Sequence, residues 1–273
     1  MEKIKLLIAC HKQAKLPDAS VYYPIHVGKV LHPELNLGFS GDDTGDNISE
    51  LNPYYCELTA EYWGWKNLDC EYIGLQHYRR YFDFHISESG IDALFDQADV
   101  YLANPLHLSK SVYDYLKEAL VIEDVYIFLK VIEHLYPDYY KTVEKYMTGN
   151  LFYPCNMFLC KKSLFDEFAK WQFDILKGVR SVIKFSEYSR EKRILGFLGE
   201  CLLPIYFLHH GLRIKTLPVV SMPGSSKQLL TTGKILALRR DLKARRWPRK
   251  LDFSEDVLLG LERDGIMANI KRL

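Results

Sequence analysis

The stretch IGLQHYRRYF, residues 73–82, begins like a buried strand and ends in a histidine, two arginines and three aromatic rings. Buried strands normally end in turn residues, so two permanent cations at a strand's carboxyl end call for a partner. A guanidinium offers a planar fork that matches phosphate oxygens bidentately and keeps its proton at working pH. Arg79 and Arg80 are therefore suited to a diphosphate, with His77 beside them. The first apolar run, residues 4–10, stops in the same way at His11-Lys12. In an α/β sheet, ligands bind beyond the carboxyl ends of the strands, so both basic groups could share one rim. The competing reading pairs Arg79 and Arg80 with carboxylates or leaves them on a solvated surface. A second cluster is acidic: the loop 41–49 carries Asp42, Asp43 and Asp46 with two glycines. It is either an ordinary acidic turn or a set of oxygens for sugar hydroxyls or a divalent cation.

Familiar alternatives are missing. There is no GxGxxG after the first strand, no GxxxxGK[ST] anywhere and no GxSxG elbow. The six cysteines form no CxxC pair and no regular spacing, which indicates neither a zinc site nor a disulfide framework. Over 273 residues, 48% hydrophobic content, 26% charge and a net charge of +1 exclude a disordered or a uniformly basic chain. No apolar run reaches the roughly 18–20 residues of a membrane span. The start, MEKIKLLIACHKQ, turns polar too soon for a signal peptide. A cytoplasmic protein with buried, reduced thiols is expected, and the sequon Asn47-Ile48-Ser49 has no meaning in that compartment.

The elements that would position these groups alternate along the chain. Strands are expected at residues 4–10, 22–27 (weakened by Pro24), 72–76, 100–103, 153–160 and 213–220. Helices are expected at 52–67, at 111–147 with breaks near Glu123 and Pro137, at 162–176 and at 192–208. Asn52 can cap the first helix with Pro53 at its first position. Leu58, Tyr62 and Trp65 then share one face. Such alternation implies an α/β fold with a mostly parallel central sheet flanked by helices.

The segments GDDTGDNISELNPYYCELTAEYWGWKN, YIGLQHYRRYF, CNMFLCKK and RILGFLGECLL resemble, in that order, a family of bacterial glycosyltransferases. Those proteins are encoded in capsule and exopolysaccharide gene clusters, carry the HYRRYF motif and were long known only as a domain of unknown function. The resemblance runs from about residue 4 to residue 220. It implies a single GT-A-like domain, residues 1–225, acting on UDP-sugars, with galactosyl donors in pyranose or furanose form. The donor-binding set it suggests is His11, Lys12, Asp46, Asn47, His77, Arg79, Arg80 and Asn156.

The sequence departs from that pattern twice. Where GT-A enzymes usually carry an Asp-x-Asp metal motif, this chain has His77-Tyr78-Arg79-Arg80. The arginines are then expected to neutralise a leaving diphosphate without a metal; otherwise Asp83 or the acidic loop would hold Mn²⁺ or Mg²⁺. The late helix reads Glu200-Cys201 where the family often has Glu-Arg. Glu200 is an ionisable group in an apolar helix, costly there without a purpose, and is the candidate catalytic base. Its rivals are an exposed structural Glu200 and a base at His209-His210, whose place before Gly211 also suits a helix cap. Of the rings Tyr54, Tyr55, Tyr62, Trp63 and Trp65, most are expected in the core and one or two against uracil or sugar.

From Lys227 to Lys250 nine basic residues face one acid, Asp241. Ile235, Leu238 and Leu242 fall on one helical face. This tail, residues 226–273, is read either as a basic helix for an anionic membrane surface or as a solvated helix packed on the domain. With a polyprenyl-diphosphate-linked or oligosaccharide acceptor, the protein would sit peripherally on the inner face of the cell membrane. No nucleic acid is expected: the body is near neutral and lacks an RNP-like or helix-turn-helix signature. The alternative to an enzyme is a non-catalytic nucleotide- or carbohydrate-binding module, favoured if Glu200 lay far from the pocket.

Overall fold

A computed structural model describes residues 2–17, 20–221 and 233–273. Its strands are β1 (Glu2–Cys10), β2 (Tyr22–His26), β3 (Cys70–His77), β4 (Arg80–Phe82), β5 (Val100–Ala103), β6 (Leu106–His107), β7 (Leu151–Phe152), β8 (Phe158–Lys161), β9 (Ile214–Leu217) and β10 (Val219–Ser221). The central run is β2-β1-β3-β8-β5-β9, in which only β8 runs against the others. The expected α/β architecture with a mostly parallel sheet is thus the observed one. In β1, Ile4, Leu6, Leu7 and Ile8 are all buried, so this strand is covered on both faces and reads as a continuous apolar run. Pro24 is tolerated because β1 is the one strand that β2 pairs with among the described residues, and on its other side only His26 forms a bridge, to Gly41.

Register explains the charged end of β3. Ala9 pairs with His77, so β1 and β3 finish side by side. The chain then reverses at once: His77 pairs with Arg80, leaving Tyr78-Arg79 as a two-residue hairpin tip. The second arm, β4, is held from its other side by β10, where Ser221 pairs with Arg80.

Three expected elements are broken in the structure. The helix at 52–67 is two helices, Asn52–Tyr55 and Leu58–Asn67, separated by Cys56 at φ 54°. Asn52 does not cap; its Nδ2 donates to Cys56 O and Thr59 Oγ1, bridging the break. Of the strand expected at 153–160 only residues 158–160 are strand, as part of β8; residues 153–157 form a loop in which Cys155 and Asn156 sit at φ 80° and 49°. The last strand divides into β9 and β10 at Pro218, which has no N–H to continue a ladder. The segment 111–147 is three helices, Val112–Ala119, Ile122–Leu135 and Tyr140–Met147, broken at residues 120–121 and at Pro137.

The long helix Lys162–Val182 packs on β3 and β8, and the Ile194–His209 helix packs on it and on the Asn52–Tyr55 and Tyr140–Met147 helices. The proposed boundary at 225/226 lies outside the described residues, as does Lys227. Beyond it, Leu251, Leu261, Ile266 and Ile270 join the same core as the sheet. Ser254 N donates to Tyr126 Oη at 2.6 Å and Tyr113 Oη donates to Asp252 O at 2.8 Å, fastening the tail down.

Gly74 marks where the sheet is tightest. A Cβ there would lie 2.6 Å from Phe158 O and 2.7 Å from Leu6 Cδ2. Gly74→Ala must therefore push β3 off β8, and a loss of about 1–3 kcal/mol is expected in urea unfolding. An unchanged midpoint would show that the sheet has slack at this position.

Candidate functional site

Beyond the carboxyl ends of β1 and β3 lies a cleft of about 700 Å³. One side is basic: His11, His77, Arg79 and Arg80 line it, and burial, with the charges of Lys12 and Arg79, holds the His11 imidazole below its ordinary value. The Tyr78 ring gathers this side together. His11 meets it edge-on at 5.0 Å, Arg79 Cζ lies 5.1 Å from its centroid and Lys12 Nζ 5.8 Å. Stacking against a buried ring fixes cations without neutralising them.

The other side carries two carboxylates. Glu200 rises from the Ile194–His209 helix into the cleft wall, and its Oε1 accepts from Cys155 N at 2.9 Å. Glu57 follows the break at Cys56 and is 9% exposed. Its Oε1 accepts from Asn156 Nδ2 at 2.9 Å and stands 3.5 Å from His77 Nε2. His77 Nε2 is also 3.1 Å from Cys155 O. Facing two acceptors, Nε2 carries the proton, which leaves the Nδ1 edge of the ring for other contacts.

The two acids are driven apart. Burial pushes Glu57 upward, but the charge of His77 and the hydrogen bonds from His77 and Asn156 outweigh it and hold the group at about 2. Burial and then the negative charge of Glu57 push Glu200 up to about 8, against the opposing pull of the Cys155 N–H, Arg80 and Arg193. Such divergence is how neighbouring carboxyls take different acid–base roles. Two thiols complete the wall: Cys155 accepts from Arg80 Nη1 at 3.3 Å and Cys56 from Arg193 Nε at 3.0 Å. Burial raises both to about 12, so neither is a thiolate nucleophile near neutral pH.

The structure thus brings His11, His77, Arg79, Arg80 and Glu200 to one cleft. Lys12 stands beside them, and Asn156 lies just behind the wall, bonded to Glu57 and to Gly196 O. Asp46 and Asn47 stand outside the lining residues. Asp46 accepts from Tyr62 Oη and Asn47 Oδ1 from Ser49 N. Buried Asp42 folds its own loop, accepting from the N–H groups of Gly28 and Lys29 and from Ser49 Oγ. Asp83 is exposed and outside the lining. Among the described residues no group of three or more His, Cys, Asp or Glu converges for a metal. His209 stacks on Tyr139 at 3.7 Å and His210 bonds its hydroxyl, both outside the cleft lining.

None of the rings at 54–65 lines the cleft; Trp63 stacks on Tyr23, and Tyr62 and Trp65 pack on Phe173. The cleft's rings are Tyr78, Tyr115, Phe152 and Phe197. Sequence reasoning also passed over Glu57 and Arg193. The signal for Glu57 was the one used for Glu200, an acid in a run of apolar helix residues.

Residues 5–211 match the domain of unknown function DUF4422. The structure is similar to the apo form of WbbM, a bifunctional glycosyltransferase, with 30% sequence identity and a TM-score of 0.76. That match covers 82% of this chain and 46% of WbbM, so the chain spans less than half of that protein. The expected GT-A-like fold is therefore the fold of this chain. Mouse xyloside xylosyltransferase 1, apo form, matches at 11% identity over 80% of this chain and 85% of that one. Its TM-score of 0.33 is too low to carry an argument. No curated protein matches the chain.

The two carboxyls give opposite pH signatures. Glu200 keeps its proton in the folded protein from the ordinary value of 4.5 up to about 8, so stability declines as pH rises through that interval. Glu57, depressed to about 2, contributes stability above the ordinary value and loses it as pH falls toward the depressed one. Glu200→Gln is expected to flatten the decline above pH ~5 and leave the acid limb unchanged. Thermal unfolding across pH tests this; parallel curves for the two proteins would rule out a buried, protonated Glu200.

Proposed function

The chain belongs to the DUF4422 family, and from that premise we propose that it is a glycosyltransferase moving a sugar from a UDP-sugar to an acceptor hydroxyl. The observation that carries this reading is one cleft holding a cationic hairpin tip opposite a carboxyl whose pKa lies near working pH. As the anomeric C–O bond to UDP breaks, charge develops on the β-phosphate, and in this reading Arg79, Arg80 and Lys12 stabilise it, with His11 and His77 as hydrogen-bond partners of the diphosphate. Glu200, once ionised, accepts the proton of the acceptor hydroxyl as its oxygen bonds the anomeric carbon. A base tuned to about 8 gives a rate that climbs with pH toward that value. A non-catalytic binding module has no need of such a carboxyl.

The finer assignments follow the sequence resemblance. We take the donor as galactosyl, pyranose or furanose, and the acceptor as a polyprenyl-diphosphate-linked or oligosaccharide chain of a capsule, exopolysaccharide or O-antigen. The reaction would then run on the inner face of the cell membrane, with the protein peripheral to it. The similarity to WbbM, itself a bifunctional glycosyltransferase, supports the class of reaction.

Role separation provides the test. Glu200→Gln is expected to lower turnover by ~10²-fold or more with UDP affinity kept. Arg80→Ala is expected to weaken UDP by about 1.5–3 kcal/mol, the range for a hydrogen bond to a charged group. Calorimetry and a transfer assay measure both. Full turnover in the Gln variant would take the base away from Glu200.

The guanidinium pair also sets the expectation for metals. Because Arg79 and Arg80 keep their charge at any working pH, transfer should persist in EDTA. Complete loss in EDTA with rescue by Mn²⁺ would assign the neutralising charge to a cation instead.

A further inference from the structure

The Lys234–Ala244 helix has its amphipathicity turned outward. A helix on a protein surface ordinarily buries its large aliphatic residues and exposes its charges. Here the inward face carries Ala244, 3% exposed, and Asp241, which accepts from His107 Nδ1 at 2.7 Å and Asn150 Nδ2 at 2.8 Å. On the same side Arg240 Nη1 donates to His107 O at 2.6 Å. The opposite face presents Ile235, Leu238 and Leu242, exposed by 74%, 61% and 49%. Arg239, Lys243 and Arg246 lie along that stripe, all exposed. The helix's one acid is turned away and paired. An exposed aliphatic stripe ringed by one sign of charge is shaped for a surface that is apolar inside and anionic outside.

We propose that this outer face docks on an anionic lipid bilayer, with the aliphatic stripe in the acyl boundary and the cations among the headgroup phosphates. Nucleic acid would use the cations but leave the aliphatic stripe in water. A second copy would bring two like-charged rims together, which disfavours that pairing. The inner face, meanwhile, is coupled to the cleft. His107 belongs to β6, which pairs with β7, and Leu106 and Phe152 of these strands line the cleft. Docking through the outer face would therefore set the cleft's β6–β7 wall close to the lipid. That last step rests on the transferase reading for its meaning, since it brings a lipid-borne acceptor to the site; the lipid binding itself does not.

Co-sedimentation of the full chain with vesicles tests the proposal. Phosphatidylglycerol-containing vesicles should bind at least about tenfold better than phosphatidylcholine alone, with the gain falling as salt rises. The double variant Leu238→Glu/Leu242→Glu should lose roughly tenfold or more of that binding while keeping its UDP affinity, which also reports an intact fold. Vesicle binding equal in variant and wild type, or no preference for anionic vesicles, overturns the inference. So does a dimer in sedimentation that the variant converts to monomer. UDP binding without vesicle binding would sink this proposal and spare the transferase reading; vesicle binding without UDP binding would do the reverse.

Discussion

A carboxylate as enclosed as Glu57 stays ionised only if positive charge and hydrogen-bond donors are brought to it. That condition determines much of the cleft. His77 must end β3 level with Cys155, and Asn156 must turn its amide inward. Both depend on left-handed backbone in the loop between β7 and β8. Asn156 tolerates that region readily; Cys155 at φ 80° is unusual and costs energy there. Three contacts hold it in place: its N–H to Glu200, its carbonyl to His77 and its sulfur to Arg80. One strained residue thereby touches three of the cleft's ionisable groups.

Close approach of the helices is the second requirement. A Cβ on Gly199 would lie 2.7 Å from Leu58 Cδ1, and one on Gly196 3.1 Å from Cys56 Sγ. With no side chains at these positions, the Ile194–His209 helix comes near enough for Gly196 O to accept from Asn156. Glu200 then follows within reach of the Cys155 N–H. The proximity that raises Glu200 through the charge of Glu57 is thus set by two glycines rather than by either acid.

What the sequence reveals and what it hides differ for physical reasons. The doubly buried strands were legible because continuous Leu and Ile runs have few other uses, and the basic ends of β1 and β3 because strand ends are where ligands meet an α/β sheet. Glu57 was hidden because residues 52–67 look like one helix. The break at Cys56 needs positive φ, and cysteine, unlike glycine or asparagine, gives no warning of it. The loop at 153–157 was hidden for a related reason: apolar neighbours make residues 153–160 look like one strand. Asp42, Asp46 and Asn47 have the composition of a ligand loop, yet their oxygens are engaged by the N–H groups of Gly28, Lys29 and Ser49 and by neighbouring side chains. The cleft's rings come from residues 78, 115, 152 and 197, separated too widely for local spacing to reveal.

The hairpin bearing Arg79 at its tip and Arg80 at the start of β4 is braced on both sides. One arm leaves β3, while the other is laced to β10 and continues into Asp83, whose N–H donates to Pro218 O at 2.8 Å. Through β9, Pro218 is joined to β5, where Asn104 N donates to Leu217 O. The tip is therefore the end of a closed circuit of strands rather than a free flap. The backbone that carries these charges keeps its course without a ligand, so the cations are already delivered to the cleft. A flap carrying the same two arginines would surrender conformational freedom at each encounter. Here the backbone share of that cost was met when the chain folded.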